Sequence, residues 1–173
     1  MTLLHWKRYA ALGEPGAWTT RLAGILQGNA TLRGTAFESV HIEAAPDVDS
    51  VVRVQVPRAI AARADLVSIT IAAGSEANGP ALERGVAHLR SVGCDVLLVT
   101  SPDPRFAAFN AQLWNIARTH AAVVLDLWGT QGLLLSPEGH RQLANRAAHA
   151  LGIPYFESRS RRPTIDFEDG FQR

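Results

Sequence analysis

The chain has 173 residues, 47% of them hydrophobic and 19% charged, with a formal net charge of +1. That length builds one domain with a real core, and that apolar share excludes disorder away from the ends. The near-neutral balance excludes an electrostatic pull towards nucleic acid or an anionic membrane.

Cys94 is the only cysteine, which excludes an internal disulfide and a cysteine-based zinc cluster. Placed between Gly93 and an apolar run, it reads as a small buried residue. Lys7 is the only lysine, an arginine bias expected of a bacterial, GC-rich genome. The opening stretch MTLLHWKRYAALG is interrupted by His5, Lys7 and Arg8, so it lacks the apolar segment of a signal peptide. No run approaches the roughly 20 apolar residues of a membrane span. A cytoplasmic protein is the expectation.

In chain order, a first strand is predicted from Arg8 to Leu12, ending at Gly13. A helix follows from Trp18 to Leu26, then a weak strand near Asn29 to Leu32. Ala45 to Val56 (APDVDSVVRVQV) alternates like an edge strand, yet Pro57 follows directly, and an irregular segment fits as well. A helix is placed from Pro57 to Arg63. The continuous apolar runs Leu66 to Ile71, Asp95 to Thr100 and Ala122 to Asp126 suit strands covered on both faces. Between them, Pro80 to Leu89 begins with proline in the first turn of a helix. In Arg105 to His120, Phe106, Phe109, Leu113 and Ile116 recur at helical spacing and face the sheet. The last helix has Ser136 as N-cap, Pro137 at its first position and Gly152 just past its end, with Leu143, Ala147 and Leu151 buried. After Pro154 the composition becomes charged, so residues 1–154 are read as the domain and 155–173 as a C-terminal arm.

Alternating strands and helices predict an α/β domain: three layers around a flavodoxin-like, doubly wound parallel sheet of about five strands. The segments, taken in order, resemble the SGNH (GDSL-like) hydrolases. RYAALGEPG is similar to the first block of that family, in which a strand runs into Gly-Asp-Ser. NATLRG is similar to the second block, whose glycine helps form the oxyanion hole. VPRAIAARADLVSITIAAGS resembles the approach to the third block, Gly-x-Asn-Asp. VLDLWG followed by LSPEGHRQLANRAAHALGIP resembles the fifth block and closing helix.

The resemblance implies a serine nucleophile, a histidine base oriented by an aspartate, and an oxyanion hole at strand C-terminal ends. Carried over residue by residue, it places Pro15 at the nucleophile and sets Gln131-Gly132-Leu133-Leu134 against Asp-x-x-His. Proline has no hydroxyl, leucine carries no proton, and glutamine has no charge to stabilise an imidazolium. The third block reads Ala73-Gly74-Ser75-Glu76, without its asparagine unless Asn78 reaches back. Gly34 alone matches cleanly. Gly13, Gly34, Gly74 and Asp126 are therefore expected near strand C-terminal ends; a mainly antiparallel sheet, or Gly13 and Gly34 at opposite ends of the strands, would sink both the fold and the resemblance.

Three readings bear on these residues, and the third, an ordinary serine esterase whose first block lies elsewhere, is opposed by Leu134, because LLLSPEGH leaves little freedom to shift. The first is a degenerate member without serine esterase chemistry, serving as a binding or structural subunit of a complex, or as half of a two-protein enzyme in specialised metabolism. Shortened loops would leave Trp18, Trp128 and Leu134 less screened at the cleft mouth. The second is an active enzyme with a relocated site among Glu14, Ser75, Glu76 and Gln131, beside Gly34 and Asn78. There two carboxylates could act as acid and base. His140 is expected to be structural. His88, His120 and His149 read as surface or satisfied polar groups, and His5 and His41 belong to no constellation. Asp126 fits a turn as well as a site. No metal-ligand spacing, phosphate loop or dinucleotide fingerprint is present, so no metal or cofactor is expected.

Overall fold

The computed structural model describes residues 6–71 and 78–153. Five strands, β1 (Arg8–Gly13), β2 (Glu38–Val40), β3 (Leu66–Thr70), β4 (Asp95–Val99) and β5 (Val123–Leu125), form one sheet. Its order is β2-β1-β3-β4-β5, and every neighbouring pair is parallel. This is the doubly wound arrangement that the alternating segments predict.

Burial on both sheet faces explains the continuous apolar runs. Along β3 and β4, Leu66, Leu97 and Val99 turn to one face. There α1 (Ala17–Leu32) and α6 (Pro137–Ala150) cover them. Val67, Ile69, Val96 and Leu98 turn to the other. On that side lie α3 (Val56–Ala61), α4 (Gly79–Ser91) and α5 (Ala107–His120). The strand N-terminal edge is closed by polar contacts. Asp65 accepts from the N–H groups of Lys7 and Arg8 at 2.8 Å each, and the Trp6 indole donates to Asp95, which also pairs with Arg90.

Helix α6 follows its predicted caps. The Ser136 hydroxyl accepts from Gly139 N–H at 3.0 Å, and Gly152 takes a left-handed φ of 76° after the last turn. Cys94 is buried as expected. Burial first, then the Asp65 and Asp95 charges, push its thiol up to about 12. No described helix is long and apolar enough to cross a membrane.

Three segments depart from the sequence reading, the first being β2 at Glu38–Val40, where no strand was expected. Asn29 to Leu32 is not a strand but the end of α1. Trp18, Leu22, Leu26 and Ala30 recur every fourth residue and are all buried, so packing outweighs the helix cost of Gly24 and Gly28. Gly34 then sits just past the C-terminus of α1 at φ 66°, its N–H bonded to the Thr31 carbonyl. It therefore lies before β2, at the strand N-terminal edge and opposite Gly13. The similarity of NATLRG to the second block was misplaced, and Gly34 is a helix stop.

Ala45 to Val56 is not a strand: Ala45 to Asp47 are irregular and the rest is helical. Beyond Ala45, α2 (Val48–Ser50), a π-helical turn (Val51–Gln55) and α3 run on as one helical stretch. Val48, Val51, Val56 and Ala59 are buried on it at helical spacing. The apparent period of two in VVRVQV is a by-product of four valines, only some of which face inward. The wide turn, in which Val56 N–H reaches back to the Val51 carbonyl, admits Pro57 without ending the helix.

Candidate functional site

The C-terminal ends of β1, β3, β4 and β5 meet at one edge of the sheet, where a doubly wound fold places its site. Gly13 ends β1 at φ 83°, which turns the chain into Glu14, Pro15 and Gly16 before α1 starts at Ala17. A buried glutamine holds this corner. Gln55 Oε1 accepts from Gly13 N–H at 2.7 Å, while its amide donates to the Glu43 carbonyl at 2.6 Å. Glu14 N–H donates to the Thr70 carbonyl at 2.9 Å, and Ala45 N–H to the Gly13 carbonyl at 2.9 Å. Gln55 is 1% exposed. Sequence reading missed it because its partners are backbone groups far away along the chain.

Pro15 and Gly16 thus occupy a pinned turn. Gly16 supplies no side-chain cap to α1, and the Thr19 hydroxyl donates to its carbonyl at 2.8 Å. Trp18 lies beneath this turn, 1% exposed. The expectation that a short loop leaves it unscreened is overturned, because it heads the buried stripe of α1.

On the far side of the mouth, the turn Gln131–Leu135 precedes α6. Gly139 lets that turn sit close to the helix, since a Cβ there would lie 1.8 Å from the Leu133 carbonyl oxygen. Leu133 and Leu134 are half-buried against the cluster that includes Trp18 and Leu143. Gln131 donates to the Pro102 carbonyl at 2.8 Å, tying the turn to the loop after β4. Trp128 and Leu135 remain outside, 51% and 86% exposed.

The candidate cleft residues separate into distinct roles. Asp126 is a turn residue: its Oδ1 accepts from the Thr100 hydroxyl at 2.8 Å and from Trp128 N–H at 3.0 Å. Asn78 caps α4 by accepting from Ala81 N–H at 3.1 Å, and its amide lies 3.4 Å from Asp49. Its side chain is thus turned to the N-terminus of α4 and to Asp49. Glu14 stands exposed at the mouth. Gly74, Ser75 and Glu76 lie outside the described residues, as does the arm at 155–173. His120 is satisfied as expected, 3.1 Å from Glu83. Among the described residues, no group of three or more His, Cys, Asp or Glu side chains could hold a metal ion.

Two polar atoms stand out against this well-paired background. Thr70 Oγ1 and His140 Nδ1 are buried without a hydrogen-bond partner among the described residues. His140 rises from the first turn of α6, and its Cε1 would lie 3.5 Å from a Cβ at Gly16. An imidazole from inside the last helix therefore lies against the Pro15–Gly16 turn.

No family model matches the chain, and no curated protein matches it in sequence. Solved structures match in three dimensions. An acetyl xylan esterase from Geobacillus stearothermophilus superposes with a TM-score of 0.67 at 14% identity, covering 88% of this chain and 97% of its own. A family 3 carbohydrate esterase from Clostridium thermocellum gives 0.64 at 15% identity, over 83% and 94%. TesA gives 0.63 at 17% identity, over 84% and 98%. At such identities the likeness is one of fold. The chain has the α/β fold of the SGNH hydrolases.

Proposed function

We propose that this protein is a hydrolase frame turned to binding, without serine esterase chemistry, and that it works as a subunit of a protein complex. One observation carries the reading. At the three positions that the resemblance assigns to the nucleophile, the orienting aspartate and the histidine base stand Pro15 in a pinned turn, Gln131 bonded to the Pro102 carbonyl, and Leu134 half-buried against the core. None of these side chains can attack a carbonyl or move a proton. Treatment with a reactive fluorophosphonate followed by intact mass is expected to leave the protein unlabelled. Stoichiometric labelling of any serine would overturn the reading. Ester hydrolysis without a serine label would instead support a relocated site, with Glu14→Gln and Glu76→Gln as the next variants.

The complex rests on the mouth. Trp128 and Leu135 present large apolar groups there, next to the half-buried Leu134, and a partner surface is the usual cover for such a patch. Multi-angle light scattering of the tagged protein, purified from its native lysate, is expected to show an assembly heavier than the chain. Trp128→Ser with Leu135→Ser is expected to release it as a monomer. A native-lysate preparation that is already monomeric would count against the subunit role.

A further inference from the structure

Helices α1 and α6 pack side by side, and an open groove of about 360 Å3 lies along their seam. Arg21, Gly24 and Ile25 line it from α1, and Arg141, Ala144 and Asn145 from α6. Both helices begin at the mouth, so Arg21 and Arg141 mark the mouth end of the seam. Its other end lies at the strand N-terminal edge. There Ile153, the last described residue, is buried beside Leu26, Asn29 and Ala30. Its N–H donates to the Ala148 carbonyl at 3.0 Å. The chain therefore leaves the described fold at the foot of this groove.

The groove is chemically uneven. Ile25 and Ala144 give its middle an apolar floor beside the Asn145 amide, and the two arginines make its mouth end basic. Arg141 already holds Glu138 through Nε and Nη2, at 2.8 and 2.6 Å. Arg21 forms no ion pair among the described residues. Such a groove matches a ring with a polar tip, followed towards the mouth by a carboxylate.

The next residues of the chain, PYFE at 154–157, carry those groups in that order. An extended segment turns alternate side chains to one side, so Tyr155 and Glu157 would face the groove together. The reach agrees. From Ile153 an extended chain covers about 7 Å to Tyr155 and about 13 Å to Glu157. Along α1 the rise from Ala30 is about 8 Å to Ile25 and about 14 Å to Arg21.

We infer that the α1–α6 groove seats residues 155–157 of this same chain, with the Tyr155 ring over Ile25 and Ala144 and the Glu157 carboxylate paired with Arg21. Tethering favours this occupant over a free partner. A segment that starts at the foot of the groove has an effective concentration there on the order of millimolar, so weak contacts suffice. Seated in this way, residues 158–173 start beside the mouth instead of at the opposite edge of the sheet. The inference rests neither on loss of esterase chemistry nor on the proposed complex.

The test is a nuclear Overhauser spectrum of the isotope-labelled full chain. Tyr155 is one of two tyrosines and the other, Tyr9, is buried, so the two rings are told apart. Contacts are expected from the Tyr155 ring to the Ile25 methyls. Glu157→Gln is expected to lower the ratio of seated to free segment about two- to fivefold, the worth of an exposed ion pair. Arg21→Glu combined with Glu157→Arg is expected to restore it. At Gly24, an exposed helix position, a Cβ meets no described atom within 4 Å. Gly24→Trp therefore fills the groove and is expected to abolish the contacts. Should that variant not fold, Tyr155→Ser is expected to shift the amide resonances of Ile25, Ala144 and Asn145. Unchanged resonances there, absent contacts, or contacts that survive Gly24→Trp would overturn the seat. Contacts found only between labelled and unlabelled chains would place a second copy's segment in the groove and overturn the inference as well.

Discussion

Gly13→Ala is expected to destabilise the protein by more than about 3 kcal/mol, read as a lower midpoint in urea with an unchanged slope. Two costs add. A left-handed backbone conformation at φ 83° costs an alanine about 1–2 kcal/mol on its own. The new methyl would also lie 1.8 Å from the Thr70 carbonyl oxygen, well inside contact distance. Relief by backbone movement is blocked from three directions. The Gly13 N–H is held by Gln55, its carbonyl by Ala45 N–H, and the Thr70 carbonyl by Glu14 N–H. A variant as stable as the parent would mean that this corner is far looser than its hydrogen bonds indicate.

Gln55→Leu is expected to cost about 2–5 kcal/mol in the same measurement, although the two side chains are close in size. The leucine would strand the Gly13 N–H and the Glu43 carbonyl, and each unsatisfied buried group costs about 1–3 kcal/mol. Gln55→Glu separates hydrogen bonding from packing. The introduced carboxyl accepts from Gly13 N–H in either form, but only its protonated form donates to the Glu43 carbonyl. Its folded pKa is therefore raised above the ordinary carboxylate value, so its contribution is present at low pH and lost as pH rises through that raised pKa. The variant is expected to be relatively more stable near pH 4 than at pH 7, whereas Gln55→Leu shows no such added dependence. Equal stability of both variants at the two pH values would remove Gln55 from this role.

The parallel sheet was legible in the sequence because strands buried on both faces are apolar over most of their length, as Leu66 to Ile71 and Asp95 to Thr100 are. The last helix was legible because its caps are local: Ser136, Pro137 and Gly152 declare its ends without help from tertiary structure. Where packing decided, reading failed. α1 passes through two glycines because Leu26 and Ala30 bury against the sheet, and nothing local to NATLRG announces that. The helical stretch after Asp47 was obscured by valines whose inward and outward positions differ only in the folded chain. At the mouth, the residue types at Pro15, Gln131 and Leu134 could be read directly. The burial of Trp18, the capping role of Asn78 and the bond from Gln131 to Pro102 depend on distances that no spacing reveals. Gln55 was invisible for the same reason, since it works through backbone groups that carry no sequence signature.

The π turn at Val51–Gln55 ties chain length to the geometry of the mouth. A π turn spends one residue more than the α-helical turn it replaces. Deleting a single residue between Val51 and Val54 would return the turn to regular α-helical winding while Val48 and Val56 keep their present faces. The same deletion in a regular helix would rotate everything after it by about 100°. The segment therefore tolerates the loss of one residue in a way that an ordinary helix does not, provided that Gln55 and its bonds to the Gly13 N–H and the Glu43 carbonyl are kept.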